Sequence, residues 1–81
     1  MRLTRTVMVS GKKPKKATMF VNDRNEADGI IRKDSEKLYA SMMRQAGFVA
    51  SKISREGDKT IAEYIPACIL FGSVNVEWII S

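Results

Sequence analysis

The chain predicts an α+β fold: a small antiparallel sheet of four to five strands, in the order ββ–α–βββ, with one amphipathic helix packed on one face. Three observations carry that expectation. Residues 67–80 alternate between apolar and mixed positions about Gly72-Ser73, as a hairpin does. A stripe of Ile31, Ser35, Leu38, Met42 and Ala46 recurs at helical spacing mid-chain. Two polar, glycine-containing segments, SGKKPKK and REGD, separate short β-rich runs. With 81 residues, 44% hydrophobic and 28% charged, the chain reads as a single globular domain, residues 1–81.

Residues 2–9, RLTRTVMV, and 17–22, ATMFVN, read as the first two strands. Between them lies a loop over residues 10–16 with four lysines at its tip. Alternation in these strands is imperfect: Val7, Val9, Met19 and Val21 fall on odd positions, whereas Met8 and Phe20 do not. Asp23 and Glu26 have the spacing of a capping box, so a helix can begin there. Gly29 interrupts that stretch, and NDRNEADG reads equally as a polar connection. From residue 34 to 46 the helix is firm, and Gly47 stands at the expected C-terminal cap.

Residues 48–54 and 59–65 form a second hairpin about REGD. An odd-numbered loop puts Val49, Ile53, Ile61 and Ile65 on one face, so the apolar pattern favours an odd loop. That reading leaves Tyr64 on the opposite face. Pro66 then marks a break. In the last hairpin, a two-residue Gly72-Ser73 loop sets Phe71 opposite Val74, Ile69 opposite Val76 and Ala67 opposite Trp78. A domain this small gains from association. The strand ending in Trp78 and Ile80, taken as an edge, is the expected contact for a homodimer.

The net charge of +5 is unevenly spread. Residues 1–16 hold six bases and no acid, residues 17–59 hold eight bases and seven acids, and residues 60–81 hold two acids and no base. A basic N-terminal device on a near-neutral body suits an anionic partner, either nucleic acid or an acidic protein surface. The residues expected to meet it are Lys12, Lys13, Lys15 and Lys16, flanking the stiffening Pro14, with Arg2, Arg5 and Arg24 extending the patch. Ammonium groups on a phosphate backbone release counterions and position without reading bases.

Other chemistry is poorly provided for. The chain has no histidine, so no His-based general base or metal ligand exists. Cys68 is the single cysteine and reads as a buried thiol, with no imidazole to activate it. GKKPKK is not a phosphate-binding loop, and Asp23, Glu26 and Asp28 miss the spacing of a calcium loop. No catalytic residue, metal or cofactor is therefore expected. No apolar run approaches the roughly 20 residues of a membrane span, and the N-terminal MRLTRTVMVSG lacks a signal-peptide core. A cytoplasmic protein is expected.

The reading that follows is a non-enzymatic basic protein that engages nucleic acid, RNA favoured and with little sequence preference, through the lysine-rich hairpin loop. A small α+β chain without an active site is also similar, in size class, to accessory proteins of phages and mobile elements. That resemblance implies an inhibitor or adaptor that binds a host complex, such as a CRISPR effector or a toxin–antitoxin system, in the host cytoplasm. A structural homo-oligomer with an incidental basic loop is the third reading. The aromatic rings, spread through the chain, are read as core or rim packing.

Overall fold

The computed structural model describes residues 1–47, 49–67 and 72–81. Five strands and one helix follow one another as β1 (Arg2–Val9), β2 (Lys15–Phe20), α1 (Arg24–Ala46), β3 (Val49–Glu56), β4 (Lys59–Pro66) and β5 (Val74–Ile80). All neighbours pair antiparallel in the order β2-β1-β5-β4-β3, with α1 across one face. The ββ–α–βββ fold expected from the sequence is the fold observed. No helix among the described residues is long and apolar enough to cross a membrane.

The helix starts where the capping spacing points. Asp23 is the N-cap, and its carboxylate accepts the Glu26 N–H at 2.8 Å. Glu26 reaches back to accept the N–H of Asn22 at 3.0 Å. Gly29 does not break the helix, which runs 23 residues to Ala46 before the Gly47 N–H closes on the Met43 carbonyl at 2.9 Å. The polar-connection alternative for residues 23–33 is thereby set aside. Ile31 and Ser35 of the stripe are buried, as is Ala27 one turn before it, while Leu38 and Met42 pack half-buried against the core.

Under the helix lie Leu3, Val49, Ala62, Tyr64, Val76, Trp78 and Ile80, all buried. Each large apolar side chain taken out of water contributes about 1.5–3 kcal/mol. The register explains their common face: Leu3 pairs with Ile80, Arg5 with Trp78, and Trp78 with Thr60. The alternation in residues 74–80 is as the sequence implies, with Val76 and Trp78 inward and Asn75 and Glu77 outward.

Three expectations are corrected. First, the β3–β4 loop is two residues, Gly57-Asp58, because Glu56 pairs with Lys59. Gly57 takes φ 60°, which lets so short a loop close. This even loop separates Ile53 from Ile61, and the core side of β4 is Thr60, Ala62 and Tyr64 rather than Ile61 and Ile65. Tyr64, which the odd loop set on the face away from Ile61 and Ile65, is on the core face and 1% exposed, in keeping with the packing role read for the rings: it lies beneath α1 and its hydroxyl donates to the Ser35 carbonyl at 3.3 Å.

Second, Trp78 faces Thr60 and not Ala67, so β4 and β5 pair seven residues away from a tight Gly72-Ser73 hairpin. The pairs expected for Ile69 and Phe71 and the buried Cys68 thiol lie outside the described residues. Third, β5 is the central strand, bound by β1 on one side and β4 on the other. Trp78 and Ile80 therefore offer no edge for a homodimer; the edges are β2 and β3.

Candidate nucleic-acid interface

The β1–β2 hairpin carries the candidate interface. Its turn closes where the Lys12 N–H reaches the Val9 carbonyl at 3.0 Å, with Gly11 at φ 80°. Strand β2 begins at Lys15, two residues earlier than the alternation suggests. Only Lys12 and Lys13 therefore occupy the turn. Lys15 pairs with Val7 and Lys16 with Thr6, so these two side chains leave opposite faces of the strand. Lys15 is directed to the helix side and Lys16 to the open side.

All four lysines are exposed. Among the described residues, none of them is ion-paired, whereas Arg5, Arg24, Arg55 and Lys59 are each bound to a carboxylate of the chain. Strand β2 has every residue exposed and forms one edge of the sheet. Lysines beside an unpaired backbone edge also deter pairing with another strand.

None of the three arginines expected to extend the patch stands beside the Lys12–Lys13 turn. Arg5 points under the helix, where its Nε donates to Asp34 at 2.5 Å. Arg24 pairs with Asp58, in the β3–β4 turn. Arg2 pairs across the strands with Phe20 and sets its guanidinium 5.7 Å from the centre of that ring. Arg2 and Arg24 belong to the end of the sheet opposite the Lys12–Lys13 turn, roughly 25 Å away along strands of this length. The cause is topological: an antiparallel hairpin sends its turn and its two free ends to opposite edges.

Two features of this region were not foreseen. Phe20 is not packed: it is 79% exposed on the open face. The signal was present in its position, one step out of phase with the apolar Met19 and Val21. The second is a groove of about 920 Å³ on the other face, between α1 and the hairpin. Leu3, Ala17, Met19, Ile30 and Trp78 line it, with Lys33, Asp34, Glu36 and Lys37 of the helix among its walls. It exists because α1 packs over β3, β4 and β5 and leaves the β1–β2 side of the sheet less covered. No local pattern announces it, since it depends on where the helix lands.

Among the described residues no group of three or more acidic or sulfur ligands is arranged to hold a metal ion. Asp23 and Glu26 are committed to the helix cap, and Asp28 to Arg55 at 2.6 Å. No family model matches the chain, and no curated protein or solved structure matches it either.

Proposed function

We propose that this is a non-enzymatic binding protein that grips the phosphate backbone of nucleic acid, RNA in preference, along its β1–β2 hairpin and with little regard to base sequence. One observation supports the reading above others: the carboxylates of Asp28, Asp34, Asp58 and Glu77 are bound to Arg55, Arg5, Arg24 and Lys59, whereas Lys12, Lys13, Lys15 and Lys16, clustered on one hairpin, have no ion-pair partner among the described residues. Cations held by internal carboxylates have little to offer a phosphate. Unpaired ones release its counterions on contact. A cytoplasmic setting goes with the reading.

The test is a salt series. Four phosphate contacts imply a slope of log affinity against log salt of about −3 on single strands and about −3.6 on duplex DNA. Changing Lys12, Lys13, Lys15 and Lys16 together to Gln removes the binding and flattens the slope. Arg24→Gln leaves both unchanged, because that side chain is engaged with Asp58. Absence of binding to RNA and DNA at low salt overturns the proposal.

The groove favours a second reading, an inhibitor or adaptor of the kind phages and mobile elements encode, seating a segment of a host protein whose apolar groups meet Met19 and Ile30 and whose acids meet the helix wall at Lys33 and Lys37. Apolar floors with a charged rim are the usual anatomy of such contacts. Purification with nuclease treatment separates the two. One stoichiometric protein partner that survives nuclease supports the second reading, and loss of all co-eluting material supports the first.

A further inference from the structure

Phe20 stands apart from the other rings among the described residues. Trp78 and Tyr64 are buried, and Tyr39, on α1, is 39% exposed, whereas Phe20 is 79% exposed. Its side chain lies on the open face of the sheet, opposite α1. Arg2 stacks at 5.7 Å from the ring centre, an arrangement that orients the ring. Along β2 the same face carries Thr18 and Lys16, and the paired positions of β1 are Arg2, Thr4 and Thr6. The Thr4 and Thr18 hydroxyls meet at 3.4 Å. The carboxylate across from Thr6 belongs to Glu77, one strand further in, and it is bound to Lys59 at 3.4 Å. The hairpin's open face is therefore a strip with a cation at Lys16, a hydroxyl pair, and a ring flanked by a second cation.

We infer that Phe20 is a stacking platform for an unpaired base, and that the ligand of the hairpin is single-stranded nucleic acid, its phosphates met by Lys16 and Arg2. This rests on the proposal that the hairpin lysines bind nucleic acid, and it adds the strandedness of the ligand. The chemistry follows from the π-face that every base presents once it is unstacked. A duplex hides those faces, so a ring on an open sheet rewards single strands alone. The separation fits a continuous chain: Lys16 and Phe20 are four residues apart, about 14 Å of strand.

The experiment compares fluorescein-labelled oligo(U) with a blunt RNA duplex of equal length by anisotropy, using the whole chain. Wild type binds the single strand more tightly than the duplex. Phe20→Ala weakens oligo(U) binding by about 5- to 150-fold, the worth of one stacked base, and changes duplex binding by less than about twofold. Phe20→Trp retains the affinity, and the fluorescence of the new indole is quenched by oligo(U). Equal losses on both probes, or no loss, overturn the stacking role while the lysine reading stands. If wild type binds neither probe, the parent reading falls and this inference with it. A free protein that sediments as a dimer in wild type and as a monomer in Phe20→Ala also overturns it, since the ring would then be a subunit contact.

Discussion

The indole N–H of Trp78 donates to the carboxylate of Asp34 at 2.8 Å. The same oxygen accepts Nε of Arg5 at 2.5 Å. Trp78 sits on the central strand and Asp34 in the middle of α1, so one carboxylate joins helix, β5 and β1. It also withdraws Arg5 from any external ligand. Tyr64 lies close by and fastens β4 to the adjacent residue of the helix through the Ser35 carbonyl.

Asp34→Ala leaves a largely buried indole donor and a guanidinium without their acceptor. The expected cost is about 2 kcal/mol, the desolvation penalty of an unmet polar group. In a domain of this size that lowers Tm by about 8–16 °C. Asp34→Asn retains an acceptor for the indole and costs less. Thermal melts of the two variants check this. Equal losses in both would mean that the charge on Arg5, and not the indole bond, carries the effect.

Gly29→Ala is expected to stabilise the protein. The residue lies inside a continuous helix, and a methyl group there meets nothing within 4 Å. Replacing glycine at such a position recovers about 0.5–1 kcal/mol of backbone entropy. Urea denaturation reads the gain as a higher midpoint at unchanged slope. A loss of stability instead would mean that the helix does not run through residue 29.

Tyr64 predicts the alkaline limb of stability. Burial first, and the negative charge of Asp34 second, push its phenol above the ordinary 10.0, while Arg5 pulls the other way. Between pH 10 and the raised value, the unfolded chain gives up its phenol proton and the folded chain keeps it. The contribution of Tyr64 is thus fully present below about pH 10 and is lost as pH climbs through the folded value. Tyr64→Phe loses about 1 kcal/mol at neutral pH, for the bond to Ser35. Its stability then falls less steeply than that of wild type above pH 10. Parallel urea curves for the two proteins from pH 8 to 11 would remove Tyr64 from this role.

Much of the fold and part of the candidate interface were legible along the chain. Asp23 with Glu26 marks the helix start, Gly47 its end, and the alternation of Val74, Val76, Trp78 and Ile80 the buried side of β5. Each is a local pattern, written in neighbours a few residues apart, and local backbone geometry obeys it. The clustering of Lys12, Lys13, Lys15 and Lys16 was legible for the same reason.

Tertiary structure alone decided the rest. Whether Trp78 meets Ala67 or Thr60 is a question of register between strands, and the two-residue loop at Gly57-Asp58 turned Ile61 outward against its hydrophobicity. Arg5 and Arg24 were counted with the lysines until Asp34 and Asp58, 29 and 34 residues away in sequence, claimed them. Phe20 was read as packing and lies in solvent. The sequence by itself determined the elements, their order and the place of the basic hairpin, because propensity, capping and periodicity act within one turn of chain. The packing of distant elements determined which of those charges and rings remain unspent, because an ion pair or a buried face exists only when both partners arrive.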